Sequence, residues 1–211
     1  MSLRFRLCQL IAFLIFPGML AAQSDDLLTR VWDGVQQAQK EYTSGCGTIT
    51  ETRTSTLMVR PMVLRGRFCA EGTTRFMLEY FEPNPVRIRF NENYLNVTTG
   101  GGNTEVLEVG SSVRRAQSSF SKESSIKNLK KNFTITVQED SRGFEMKLVP
   151  RSDAFRRRLN YIVVKLKKRD FLPWSLEVDG KSGVNSVFAI DVSSVNLKIP
   201  ADRFEVSKPS D

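Results

Sequence analysis

Apolar and polar residues alternate along most of this chain, and they repeat at clear helical spacing in one place near its start. In "SDDLLTRVWDGVQQAQKEY", residues 24–42, Leu27, Leu28, Val31, Trp32, Val35 and Ala38 form one stripe, as on an amphipathic helix. Ser24 or Asp25 is placed to cap that helix, and Asp25 and Asp26 suit the positive end of its dipole. The stripe fits a core-facing helix and fits equally a lid over a cavity.

From Thr43 the period changes to two. Residues 76–90, "FMLEYFEPNPVRIRF", read as two strands hinged at Pro83 and Pro85. Phe76, Leu78, Tyr80, Val86, Ile88 and Phe90 share one parity, while Glu79, Arg87 and Arg89 take the other. Side chains alternate across a strand, so this sheet has one apolar and one charged face. Leu64 and Phe68 precede this stretch, and Leu95 and Val97 follow it. "TTGGGNTE" reads as a turn; a phosphate cradle would need a Gly-Lys-Ser/Thr run opening a helix, and none follows. Residues 111–132 are polar, with Phe120, Ile126 and Leu129 as apolar points of one or two short helices or of a mobile segment. Alternation then resumes with Phe133, Ile135 and Val137, and with Phe144, Met146 and Leu148 after the "EDSRG" turn. Further on, Ile162, Val164 and Leu166 share a face, as do Trp174, Leu176 and Val178; Ser186, Phe188, Ile190 and Val192 follow the "VDGKSG" turn. About ten alternating strands with one good helix predict an α+β domain dominated by antiparallel sheet.

Charge and length narrow the function classes. The chain has 211 residues, 40% of them apolar, so one core is affordable. Lys and Arg number 31 against 23 acids, for a net +8. There is no histidine, which removes the usual general base and the commonest transition-metal ligand. With no G-x-S-x-G elbow and no metal-ligand cluster either, an enzyme is not expected and no cofactor is implied.

The N-terminus reads as an export signal. Arg4 and Arg6 precede the apolar run Leu7–Phe16, and Pro17-Gly18 leads to the small residues Ala21 and Ala22. Cleavage is expected near Ala22, giving a signal peptide over residues 1–22 and a single domain over residues 23–211. Gln23 stands where a lipoprotein would carry Cys, so a soluble periplasmic product is expected. Loss of Arg4 and Arg6 lowers the charge to 8 − 2 = +6. Cys8 leaves with the signal, while Cys46 and Cys69 remain on outward parities of two possible neighbouring strands; one disulfide or two unpaired thiols fit.

An apolar sheet face needs a cover of similar area. A strongly curved sheet would leave a pocket under too few helices, whereas a sandwich would close on itself; the pattern permits both. At this point the chain resembles the LolA-like periplasmic carriers of outer-membrane lipoproteins (LolA/LolB-type fold). The likeness rests on Gly66-x-Phe68, on Phe76, Tyr80 and Pro83, on Leu172-Pro173, Asp179-Gly180, Phe188-x-Ile190, and on Ile199-Pro200 with Asp202, Phe204 and Pro209. One departure is Gly72-Thr73, where family members near LolA carry Arg-Pro.

The resemblance implies a curved antiparallel sheet, an incomplete or half β-barrel, with the N-terminal helix and short middle helices covering its concave face. It also implies that acyl chains of a lipoprotein or lipid enter the cavity, passed from an inner-membrane donor towards an outer-membrane acceptor. The expected lining is Trp32, Val35, Phe68, Phe76, Leu78, Tyr80, Val86, Ile88, Phe90, Ile162, Val164, Trp174, Leu176, Phe188 and Ile190. A lipid-sensing scaffold that does not transfer its ligand is the alternative on the same fold, and a monomer is expected. Arg65, Arg67, Arg87 and Arg89 fall on the outward parity, as a solvated surface or as a docking face for an acidic partner or anionic headgroups. Nucleic acid is not an expected partner, because aromatics are not interleaved with the exposed basics.

Overall fold

The computed structural model describes residues 18–91, 93–109 and 125–206. The expected signal's Arg4, Arg6, Cys8 and Leu7–Phe16 run, Phe120 of the polar middle stretch and Pro209 of the family likeness lie outside these residues. Helix α1 spans Gly18–Glu41 and therefore runs through the expected cleavage point, so Ser24 and Asp25 sit inside the helix instead of capping it.

Eleven strands follow: β1 (Ser44–Ser55), β2 (Met62–Glu71), β3 (Arg75–Glu82), β4 (Val86–Asn91), β5 (Tyr94–Thr99), β6 (Thr104–Glu108), β7 (Phe133–Glu139), β8 (Gly143–Pro150), β9 (Leu159–Lys167), β10 (Pro173–Gly180) and β11 (Val184–Val195). Helices α2 (Ile126–Asn132) and α3 (Asp153–Arg156) flank β7 and β8, and a 3-10 turn covers Ala201–Phe204. The strands form one antiparallel sheet in the order β6-β5-β4-β3-β2-β1-β11-β10-β9-β8-β7, open between its two edges. Two meanders are thus joined where the first strand pairs with the last. The Asp179-Gly180 pair closes β10, and Asp179 still pairs with Asn185, so the turn sits one step later than the sequence motif suggests.

Register carries the apolar face across the sheet. Leu64 pairs with Glu51, Glu51 with Phe188, Phe188 with Leu176, Leu176 with Val164, and Val164 with Met146. Curvature has a local cause in two glycines beside irregularities of register. A Cβ on Gly47 would lie 1.9 Å from the Asp191 carbonyl oxygen, and one on Gly66 would lie 2.4 Å from that of Glu79. Only glycine allows such close approach where a sheet bends.

Helix α1 covers one half of the inner face. Leu28 and Trp32 pack with Leu129 of α2 and with Phe133, Met146 and Leu148; Val31 packs with Phe144 and Leu166. Each such buried side chain contributes roughly 1.5–3 kcal/mol. Gly34 lets the Phe171 ring sit on the helix, since a Cβ there would meet that ring at 2.4 Å. Phe171 in turn stacks on Phe144, with centroids 5.4 Å apart. Ser125 caps α2 by accepting a bond from the Asn128 amide. On the outer face, Cys46 and Cys69 are direct partners in the β1–β2 register and are joined by a disulfide. The C-terminal 3-10 turn packs on β3 and β4 and buries Phe204 on the same outer side as Met77.

Candidate functional site

The other half of the inner face, over β1–β4 and β11, is built differently. Ile49, Leu64, Leu78 and Tyr80 form a buried cluster, with Phe68, Phe76, Val86, Ile88, Phe188 and Ile190 packed partly buried against it. Every member of this cluster comes from a strand. A cavity of about 410 Å³ opens on the face, bordered by Leu78, Ile88, Val178 and Phe188 on its apolar side.

Its polar side centres on Glu51. Glu51 is 2% exposed. Its Oε2 accepts from the Tyr80 hydroxyl at 2.5 Å, and its Oε1 accepts from Arg53 Nε at 2.9 Å, Arg53 Nη2 at 2.8 Å and Ser186 Oγ at 2.7 Å. Burial, and secondly the bond to Glu51, hold the Tyr80 phenol well above its ordinary pKa, so it stays a donor. A buried carboxyl is tolerable because its lone pairs are filled. Sequence reasoning overlooked this group. The available signal was parity: Glu51 and Arg53 continue the inward alternation of Ile49 on β1 and alternate with Thr50 and Thr52.

The expected lining residues fall into separate places. Phe68, Phe76, Leu78, Tyr80, Val86, Ile88, Phe188 and Ile190 share the strand-built cluster. Phe90 pairs with Phe76 on the same face, and Leu176 links Phe188 to Val164. Trp32 and Val35 lie on α1, with Ile162 and Val164 packed beside them, so these four sit in the helix-covered core. Trp174 is off the parity of Leu176, because a bulge between Pro173 and Ser175 takes its indole to the outer face. There Arg142 lies 4.7 Å and Lys165 5.7 Å from its ring centroid. This corrects the reading of Trp174, Leu176 and Val178 as one face.

The outward arginines are in part internally paired. Glu79 binds both Arg67 and Arg87, and Arg65 binds Glu82 at 3.0 Å. The Arg87 bond above all, aided by Arg67, holds the Glu79 carboxyl below the usual carboxylate range against the opposing effect of burial. Among the described residues no helix is long and apolar enough to cross a membrane, and no group of three or more Cys, Asp or Glu is arranged to hold a metal ion.

No family model matches the chain, and no curated protein matches its sequence. Solved structures do match in shape. An uncharacterized conserved protein from Thermus thermophilus is 12% identical, with 86% of this chain and 95% of that one covered, at a TM-score of 0.51. A LolA superfamily protein from Nitrosomonas europaea is 11% identical over 84% of this chain and 97% of that one, at a TM-score of 0.44. MucB in its complex with MucA from Pseudomonas aeruginosa is 11% identical over 83% of this chain and 60% of that one, at a TM-score of 0.47. At such identities the likeness is one of fold: the chain shares with the Thermus protein an architecture of the kind that the LolA-like resemblance implies, an open, curved antiparallel sheet with an N-terminal helix.

Proposed function

We propose that the chain is an exported, non-enzymatic carrier that shields acyl chains of a lipid or lipoprotein on the inner face of its sheet and delivers them towards the outer membrane. The observation that carries this reading is the division of that face. Helices α1 and α2 cover the β7–β9 end, whereas the cluster over β1–β4 and β11 consists of strand side chains and borders the 410 Å³ cavity. That volume falls within the roughly 300–1,000 Å³ common for ligand sites.

Each methylene withdrawn from water is worth about 0.8 kcal/mol, so an apolar surface can hold a chain with no specific contact along it. The polar groups around Glu51 already bond one another, so little has to be undone on release. Export fits the signal-like N-terminus and the Cys46–Cys69 disulfide, which belongs to an oxidising compartment. The mature chain would start near Gln23, meet an inner-membrane donor and pass its ligand to an outer-membrane acceptor.

Ile88 tests the site. It is half-buried beside the cavity, so Ile88→Asp places a charge where acyl chains would lie and leaves the core under α1 untouched. Lipid recovered with the folded variant should fall at least tenfold, while Val187→Asp, on the outer parity and 39% exposed, should retain it. Equal lipid in wild type and Ile88→Asp would remove this face as the binding site.

A further inference from the structure

A second cavity lies on the opposite side of the sheet, between β2–β4 and the C-terminal 3-10 turn. It measures about 250 Å³ and is lined by Arg67, Arg87, Arg89 and Arg203, with Glu79 and Asp202 as its acids and Met77 as its apolar wall. Four positive groups against two negative leave 4 − 2 = +2 in a small concavity. Glu79 is already engaged by Arg67 and Arg87. Neither the Arg89 nor the Arg203 side chain makes a hydrogen bond or ion pair among the described residues. Arg89 Nε is buried with no acceptor, and the neighbouring Asn96, 4% exposed and paired with Arg89 in register, has a buried Oδ1 with no donor.

A buried guanidinium nitrogen without an acceptor is uncommon in a folded protein and points to a missing partner. Asn96 does not line the cavity, and a partner suited to the Arg89 nitrogen and the net positive lining accepts hydrogen bonds, carries negative charge and is small enough for the space. Guanidinium forks match the oxygens of phosphate in geometry and charge. We infer that this cavity is a phosphate-binding site, with Arg89 and Arg203 as its principal ligands and Arg87 supplementing them from its Glu79 pair. The 3-10 turn supplies Arg203 and forms one wall, so the C-terminal segment is part of the site. The site lies on the face opposite the acyl cavity and stands whether or not the chain carries lipid. The phosphate can come from solution or from a lipid headgroup, and the two sources are separable.

The experiment uses the full mature protein at low ionic strength. Titration calorimetry with inorganic phosphate and co-sedimentation with phosphatidylglycerol vesicles are run on wild type, Arg203→Ala and Arg89→Gln. Arg203 is exposed, so its variant should keep the wild-type melting temperature, which separates loss of binding from loss of fold. The expected result is binding by wild type that weakens at least tenfold in both variants. Binding of inorganic phosphate with that dependence identifies a soluble phosphate site; binding of vesicles alone with that dependence identifies a headgroup site. Wild type that binds neither, or binding that survives in a folded Arg203→Ala, overturns the assignment.

Discussion

Replacing Tyr80 with Phe removes one hydroxyl from the centre of the inner face and leaves the ring that packs there. The structure sets the size of the effect. The hydroxyl donates at 2.5 Å to Oε2 of Glu51, whose residue is 2% exposed; the other donors, Arg53 and Ser186, serve Oε1. Without the hydroxyl, Oε2 loses the donor that serves it while Glu51 stays buried. An unsatisfied buried acceptor costs about 1–3 kcal/mol, and no cavity forms because the ring remains. For a chain of this size each kcal/mol shifts the melting temperature by about 2–4 °C, so a fall of roughly 2–12 °C is expected. Urea unfolding should show the same loss with an unchanged slope, since the surface exposed on unfolding is unaltered. Tyr161→Phe is the control. Its hydroxyl also meets a carboxyl group, that of Glu177, but Tyr161 is only half-buried and Glu177 keeps a second donor in Asn185. The raised pKa of Tyr80 adds a signature at alkaline pH. Its phenol ionises later in the folded than in the unfolded state, so its contribution is complete below about pH 10 and lost as pH rises through the folded value. Equal stability of wild type and Tyr80→Phe would refute the reasoning, showing that Oε2 finds water and that the centre of this face is wet.

Three further outcomes follow from other parts of the fold. Gly34→Leu should loosen α1 by roughly 1–3 kcal/mol, seen as earlier amide exchange in the helix, because its Cβ would meet the Phe171 ring at 2.4 Å; unchanged exchange would show that the ring moves aside without cost. Cys46→Ser with Cys69→Ser should cost about 3 kcal/mol, the loop-closure value for cysteines 23 residues apart, and thiol reductants should then have no added effect on stability. Glu79 has a depressed pKa, so its contribution is complete above about pH 4.5 and lost as pH falls through the folded value. Glu79→Gln should flatten acid unfolding in that range, and an unaltered acid limb would show that the Arg67 and Arg87 pairs contribute nothing.

Alternation made the strands legible, because each strand buries one face and wets the other; Phe76, Leu78, Tyr80, Val86, Ile88 and Phe90 fall on the inner face from the sequence pattern alone. The stripe from Leu28 to Val35 likewise identifies the helix and its buried side. What alternation misses is any step out of period. The bulge at Pro173/Ser175 moves Trp174 to the outer face, and no local signal marks it beyond the proline itself. Which half of the inner face α1 would cover depended on pairing of β1 with β11, a contact between chain ends that periodicity does not encode. Glu51 was passed over for the opposite reason: its parity was readable, but an acid among Thr and Arg reads as a solvated residue until Tyr80 and Ser186 are seen to close on it. The outer cavity was only half legible, as Arg67, Arg87 and Arg89 share a parity, while Arg203 arrives from the C-terminal turn.

Native mass spectrometry of the mature protein, purified from the periplasm without detergent and followed by mass analysis of its organic extract, tests acyl carriage most directly. The account predicts defined adducts that fragment to acyl chains, present on wild type and absent from a folded Ile88→Asp variant. A bare protein mass in repeated gentle preparations would contradict it.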